Sequence, residues 1–203
     1  MTRLLLIRHA APEEDARGRC YGRLDVGLSP AGLAAAKRLA ESLADVELDA
    51  VSVSPRLRAV ETAAALGRVH AVDERLRELD FGELEGRTYE EIERERPELF
   101  RQWMETPTLV RFPGGESYGE LRERVAAAIG DVVAANEGRT AAIVSHGGVI
   151  RAALALALGL PDDRAFALDV GYARLSILDW FGGTAVVRLV NGIAADLPTD
   201  LGG

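Results

Sequence analysis

Short apolar runs alternate along the chain with longer segments that are apolar on one side, and this alternation predicts strands interleaved with helices. Apolar runs that predict strands cover residues 4–7, 49–53, 140–144, 174–180 and 185–190. Helical patterns cover residues 30–43, 57–66, 118–135 and 149–158. The last two strands flank Gly182 and Gly183 and are expected to form a hairpin. Strands that alternate with helices predict a three-layer α/β/α sandwich around a mostly parallel sheet.

Turn-forming residues mark the ends of several of these elements. Ser29 and Ser117 are placed to cap the helices that follow them, and Pro30 suits the first helical position. Pro97 interrupts a highly charged helical stretch over residues 89–103. These signals support the predicted helix boundaries independently of the apolar pattern.

Length and composition favour one soluble domain. The 203 residues contain no repeat or flexible linker, so we expect a single domain over residues 1–203, with a core over about 3–190 and a C-terminal tail over 191–203. A net charge of −8 argues against a nucleic-acid partner. The single cysteine, Cys20, excludes an internal disulfide and zinc sites built from several cysteines. No apolar stretch is long enough for a signal peptide or a membrane span, so we expect a cytoplasmic protein without membrane contact.

Two of the three histidines directly follow predicted strands. His9 and Arg8 end the first strand, and His146 ends the strand that begins at residue 140. Arg58 lies just beyond the second strand. Ligands of open α/β sheets collect at the carboxyl ends of the strands, so these side chains are expected to converge on one crevice. The third histidine, His70, has apolar neighbours and is interpreted as structural.

Two arginines and two histidines in one crevice suit phosphoryl transfer. Guanidinium groups bind phosphate oxygens in pairs and stay charged at any working pH. A helix that begins after His146 would add backbone N–H donors. A neutral imidazole among these cations can attack phosphorus and become phosphorylated, because nearby positive charge lowers its pKa. This chemistry requires no metal and no other cofactor, but it still lacks a proton donor for the leaving oxygen.

Four short motifs occur in order along the chain. They are Arg8-His9-Ala10, Ser54-Pro55-x-x-Arg58-Ala59, Glu78-Leu79-x-Phe81-Gly82-x-x-Glu85-Gly86 and Ser145-His146-Gly147-Gly148. Together they resemble the histidine phosphatase superfamily, which also contains the cofactor-dependent phosphoglycerate mutases. The resemblance implies a phosphoglycerate mutase-like fold and a nucleophilic His9 that becomes phosphorylated. It also implies that Arg8, Arg58 and His146 bind the phosphoryl group, with help from the backbone of Gly147.

The resemblance also supplies the missing proton donor. Glu78 falls where the family places its general acid, which later acts as the base for the water that clears the phosphoenzyme. Glu13, Glu83 and Glu85 are alternative carboxylates for this role. Many members have Arg-His-Gly-Glu-Thr in the first motif, whereas residues 10–12 of this chain are Ala-Ala-Pro. This departure removes a loop threonine that commonly helps to hold phosphate.

The length of the middle segment distinguishes two branches of this family, the mutases and the phosphatases. Mutases usually carry a longer helical insertion than residues 89–116 provide, so we expect hydrolysis of a small phosphorylated metabolite, with mutase-type transfer as the alternative. The stretch around Tyr21 and Arg23 is similar to α-ribazole phosphatases and also to broad-specificity relatives. α-Ribazole 5'-phosphate is therefore a candidate substrate. Tyr21 and Arg23 either bind the substrate or only order the first loop.

Three further points concern a lid over the site, roles other than catalysis, and the oligomeric state. Phe112, Pro113, Glu116 and Ser117 are expected to belong to a lid over the site. A module that binds a phosphorylated ligand without turnover, or a protein-interaction role for residues 89–103, is an alternative to catalysis. The sequence leaves open whether the chain forms a homodimer.

Overall fold

The computed structural model describes residues 1–16, 18–193 and 196, and these residues form one mixed sheet with helices on both faces. The strands are β1 (Thr2–Arg8), β2 (Ala50–Val53), β3 (Ala71–Val72), β4 (Thr140–Ser145), β5 (Leu175–Phe181) and β6 (Thr184–Gly192). The α-helices are α1 (Pro30–Ser42), α2 (Leu57–Ala65), α3 (Tyr89–Glu95), α4 (Pro97–Glu105), α5 (Tyr118–Ala135) and α6 (Gly147–Leu158). Strands β3, β2, β4 and β1 are parallel neighbours in that order. Strand β5 pairs antiparallel with β1, and β6 pairs antiparallel with β5 as the last strand on that side. The order confirms the predicted three-layer fold with a mostly parallel sheet.

Strand β1 lies inside the sheet and is covered on both faces. Leu4 and Leu6 belong to the core cluster that contains residues of α5 and α6. Leu5 and Ile7 belong to the cluster that contains residues of α1 and α2. Because both faces are buried, the strand shows a continuous apolar run instead of alternation. The parallel strands β2 and β4 end at the same edge of the sheet as β1, and this edge carries the candidate chemistry.

The structure departs from the predicted elements at short segments. Strand β3 is not predicted by the sequence, because two exposed residues make no periodic pattern. Helix α6 begins at Gly147, two residues before the predicted start at Val149. Only His146 therefore lies between β4 and this helix. The consequence is that the N–H groups of Gly147 and Gly148 lie in the first turn of a helix.

The predicted lid segment is packed against the body of the protein. The Phe112 side chain is buried, and its ring contacts the ring of Trp103 edge to face at 5.1 Å. Glu116 is buried in an ion pair with Arg124 of α5. Ser117 caps α5, as its sequence position predicts. The Phe112 and Glu116 side chains are therefore packed in this structure, and a lid role for the segment stays a prediction.

One sheet contains every strand found in the described ranges, and the single domain over residues 1–203 stays a prediction. Part of the predicted tail, residues 191–203, lies outside the described residues. Within the described ranges, no helix combines the length and the apolar character needed to cross a membrane. The cytoplasmic location stays a prediction.

Candidate active site

The two histidines that follow parallel strands stand side by side at the edge of the sheet. Arg8 of β1 pairs in register with Ser145 of β4, and the His9 N–H donates to the Ser145 carbonyl at 2.8 Å. The next residues along these strands are therefore neighbours. The ring centroids of His9 and His146 lie 5.1 Å apart, with the rings inclined at 62°. The convergence of the two imidazoles predicted from the sequence is present.

The His9 ring is held in one tautomer by its own neighbour. Its Nδ1 lies 2.7 Å from the Ala10 carbonyl oxygen, and a carbonyl only accepts, so Nδ1 carries the proton. The other ring nitrogen, Nε2, then has a free lone pair. Burial lowers the pKa of His9 well below its usual value, and the positive charges of Arg58 and Arg8 lower it further. The ring is therefore neutral, with Nε2 available to attack an electrophile.

Both arginines of the sequence motifs are anchored by hydrogen bonds to backbone carbonyls. Arg58 is fully buried and donates to the backbone carbonyls of Leu24 and Tyr21 at 2.9 and 2.8 Å. The Arg8 guanidinium donates to the Val170 carbonyl. In each of these two arginines the buried Nε–H has no hydrogen-bond partner among the described residues. Two orphaned cationic donors in one crevice call for an anion.

His146 offers a third donor to the same crevice. The Ser54 hydroxyl lies 2.7 Å from its Nε2 and also accepts from the Arg56 N–H at 3.4 Å. When this hydroxyl donates to Nε2, the proton of the imidazole resides on Nδ1, which is buried and without a partner among the described residues. Burial lowers the pKa of His146 well below its usual value, and Arg58 and His9 add to the effect. With the bond in this direction, His146 is a neutral donor through Nδ1–H.

Gly147 brings its N–H to the crevice at the N-terminus of the twelve-residue helix α6. A Cβ at this position would lie 3.0 Å from Nη1 of Arg151 and 3.4 Å from Cζ of Arg8. Glycine therefore lets two guanidinium groups approach the backbone closely. Arg151 is a cation that the sequence analysis misses, because a lone arginine inside a helix gives no signal of its role.

Glu78 is the carboxylate that the structure joins to the histidine motif. Its Oε2 accepts from the Gly148 N–H at 3.1 Å, and its Oε1 accepts from the Leu79 N–H at 2.9 Å. The loop that carries it is clamped by Arg124, which donates to the Glu78 carbonyl at 3.1 Å while paired with Glu116. The carboxylate is thereby fixed beside the first turn of α6.

The three alternative carboxylates differ in their placement, and two of them have other partners. Glu83 forms an exposed ion pair with Arg96 at 2.7 Å. Glu85 accepts from the backbone N–H groups of the first loop, at Arg23 and Leu24, and so orders that loop. The Glu13 backbone N–H donates to Gly27 at 3.0 Å, which places Glu13 within the same loop. Among the four candidates, Glu78 is the one whose carboxylate accepts a hydrogen bond from the first turn of α6, two residues after His146.

The two candidate substrate-binding residues of the first loop differ in their placement. The Tyr21 hydroxyl is hydrogen-bonded to the hydroxyl of Tyr172, and its ring lies 4.9 Å from the Arg58 guanidinium. Arg23 is exposed and pairs with Asp80 at 3.4 Å. Tyr21 therefore contacts Arg58 of the site, whereas the exposed Arg23 is held by the loop that carries Asp80.

Tyr172, which precedes β5, lines the crevice on its other side and is absent from the sequence-based set. Its ring lies 3.9 Å from the Arg8 guanidinium and 5.4 Å from the His9 ring. A single tyrosine in a loop carries no motif, so only the fold reveals this contact.

Replacing Gly148 with alanine tests how finely the carboxylate is placed. The added Cβ would lie 2.4 Å from Oε1 of Glu78, so the carboxylate must move while the backbone stays. We expect a fall in kcat/KM of about 10- to 100-fold, with little change in thermal stability. Gly130→Ala is the matched control, because a Cβ there meets no atom within 4 Å in helix α5. An active Gly148→Ala enzyme with parental kinetics would contradict the placement of Glu78.

A mostly parallel α/β sheet with two imidazoles and two guanidiniums at its carboxyl edge defines an enzyme that handles phosphoryl groups. The chain matches the model of the histidine phosphatase superfamily (branch 1) over residues 4–192, and it belongs to that family. It is a phosphoric monoester hydrolase of the phosphoglycerate mutase-like fold.

Known proteins similar to this chain cover nearly its full length. It is 34% identical to phosphoserine phosphatase 1 of Hydrogenobacter thermophilus over 88% of this chain and 86% of that protein. The structure of YhfR from Bacillus stearothermophilus superposes with a TM-score of 0.90 at 32% identity, covering 97% of this chain and all of that one. The α-ribazole phosphatase of Shigella flexneri superposes with a TM-score of 0.85 at 26% identity, covering 94% and 96% of the two chains.

Proposed function

We propose that this protein hydrolyses small phosphomonoesters in two steps through a phosphohistidine at Nε2 of His9. The observation that carries this proposal is the bond from His9 Nδ1 to the Ala10 carbonyl, which leaves the Nε2 lone pair free in a crevice of cationic donors. Nε2 attacks phosphorus, and the bond from phosphorus to the leaving oxygen breaks. Glu78 gives its proton to that oxygen, so the alcohol departs neutral.

The second step returns the enzyme to its starting state. The Glu78 carboxylate takes a proton from a water molecule as the water oxygen attacks phosphorus. The bond between phosphorus and Nε2 of His9 breaks, and inorganic phosphate leaves. Proton and phosphoryl group are then both accounted for, and no metal takes part in either step.

Four N–H donors suit the charge that develops on the phosphoryl oxygens. Nε–H of Arg8 and of Arg58 and Nδ1–H of His146 are buried and unpartnered among the described residues. The Gly147 N–H adds a helix N-terminus. Donors that are fixed before the reaction lower the barrier without reorganisation, which is the main source of electrostatic catalysis.

Which phosphomonoester the enzyme hydrolyses is also part of this proposal. The likeness to a phosphoserine phosphatase and to an α-ribazole phosphatase supports phosphoserine and α-ribazole 5'-phosphate as candidates. The experiment measures phosphate release, with EDTA present, from these two esters, nitrophenyl phosphate, 3-phosphoglycerate and several sugar phosphates. Preference for one ester names the substrate class. Isomerisation of 3-phosphoglycerate without phosphate release would favour the mutase alternative, and binding without turnover would favour the binding module.

The lowered pKa of His9 predicts activity that persists in mildly acidic solution. Because the folded ring takes up a proton only well below pH 6.5, Nε2 stays unprotonated and nucleophilic at that pH. We expect the half-point of phosphohistidine formation in single-turnover experiments to lie below pH 6.5. Arg58→Gln removes a charge that lowers this pKa, so its half-point is expected to move upward. A half-point above pH 6.5 in the parent enzyme would contradict a nucleophile with this environment.

A further inference from the structure

A cleft of about 370 Å³ opens beside the candidate active site. Its lining includes Tyr172 and Arg174, which precede β5, and Arg38 of α1. The remaining wall is apolar and includes Leu39 and Ile193. The cleft therefore combines two cationic groups with an apolar floor.

One side chain separates this cleft from the catalytic crevice. The ring of Tyr172 contacts Arg8 and His9 on the catalytic side and also lines the cleft. The backbone continues this connection, because the Arg8 N–H donates to the Arg174 carbonyl at 3.0 Å. A substrate with its phosphoryl group at His9 would bring its leaving alcohol to this cleft if that alcohol extends past the Tyr172 ring.

Among the described residues, the two arginines of the cleft have no side-chain partner. Neither Arg38 nor Arg174 forms a hydrogen bond or an ion pair through its side chain with another described residue, although Arg174 is half-buried. Neighbouring charges behave differently: Lys37, next to Arg38, pairs with Glu41. In a chain whose net charge is −8, two unpaired guanidiniums facing one cleft form a local anion-attracting site.

We propose that this cleft binds a second anionic group of the substrate, carried by the leaving alcohol. Arg38 and Arg174 hold the anionic oxygens, which guanidinium forks match in pairs, while the apolar wall contacts the carbon chain. This inference rests on the proposed phosphatase function and narrows its substrate class to phosphomonoesters with a charged leaving group. A carboxylate and a second phosphate share the required chemistry.

The test compares esters that differ only in the second anionic group. For carboxylates the pairs are 3-phosphoglycerate with glycerol 3-phosphate, and 6-phosphogluconate with sorbitol 6-phosphate. For phosphate the pair is fructose 1,6-bisphosphate with fructose 6-phosphate. We expect the parent enzyme to favour the doubly anionic member of at least one pair by about 10-fold in kcat/KM, through a lower KM. The pair that shows this preference identifies which anion the cleft holds.

Variants then assign the preference to the two arginines. Arg174→Gln is expected to lower the ratio of kcat/KM within that pair by about 10-fold, and Arg38→Gln with Arg174→Gln to abolish the preference. Arg174→Lys is expected to retain part of it, because the charge remains. Arg68→Gln is the matched control, since Arg68 is an exposed arginine that does not line the cleft.

Three results would overturn the inference. They are a parent enzyme with no preference in any pair, a preference that survives in the double variant, and an equal loss in Arg68→Gln. The proposed phosphatase function is judged separately, by the dependence of nitrophenyl phosphate hydrolysis on His9. The inference about the cleft can thus be wrong while the catalytic proposal holds, and the two outcomes are distinguishable.

Discussion

Replacing His9 with alanine is expected to lower phosphate release from every substrate by about 10⁴-fold or more. The expectation follows from the role of Nε2, because its lone pair is left free by the bond from Nδ1 and lies among the cationic donors of the crevice. His146 does not substitute for it, since its Nε2 is engaged with Ser54. The measurement is phosphate release together with rapid quenching, which traps an acid-labile phosphoryl group on the peptide that contains His9 in the parent enzyme.

A matched variant separates this loss from a general effect of removing a histidine. His70 lies outside the crevice, and its Nδ1 is 3.4 Å from the Arg68 carbonyl. His70→Ala is expected to keep parental kinetics and to form the same trapped intermediate. Circular dichroism and thermal melting show whether His9→Ala remains folded. Turnover at parental rates in folded His9→Ala, or a trapped phosphoryl group on another peptide, would sink the assignment of the nucleophile.

The meeting of His9 and His146 could be predicted from the sequence because parallel strands share an edge. Each histidine follows a continuous apolar run, and such runs mark strands buried on both faces. Once both strands are placed in one parallel sheet, their carboxyl ends have to lie together. The position of Arg58 follows in the same way from β2. Sequence order and one topological rule were sufficient for this part of the site.

Other parts of the site depend on contacts that no local pattern encodes. Tyr172 reaches Arg8 from a loop that precedes an antiparallel strand, and Arg124 holds the Glu78 loop from the middle of α5. Each is a single residue whose role arises from long-range packing. The ion pair between Glu116 and Arg124 is a further contact of this kind, because it forms only in the folded chain. Packing, and not periodicity, decides these contacts.

Replacing Glu78 with glutamine is expected to affect substrates according to their leaving groups. The amide keeps nearly the same shape but cannot give a proton to the departing oxygen. An alkyl phosphate, whose alcohol is a poor leaving group, is expected to lose about 10²- to 10³-fold in kcat. Nitrophenyl phosphate, whose phenolate leaves without protonation, is expected to lose less than about 10-fold in the phosphorylation step. Burst kinetics separate that step from hydrolysis of the phosphohistidine.

Glu83→Gln is the control for this prediction, because Glu83 was an alternative acid and its carboxylate pairs with Arg96 at the surface. It is expected to keep parental rates on both substrates. An equal loss on alkyl and nitrophenyl phosphates in Glu78→Gln would mean that the carboxylate only positions the loop through its bonds to Gly148 and Leu79. A leaving-group dependence that instead appears in Glu83→Gln would transfer the acid role to that residue. The difference between the two substrates therefore distinguishes proton donation from structural support, which the total loss of rate alone does not.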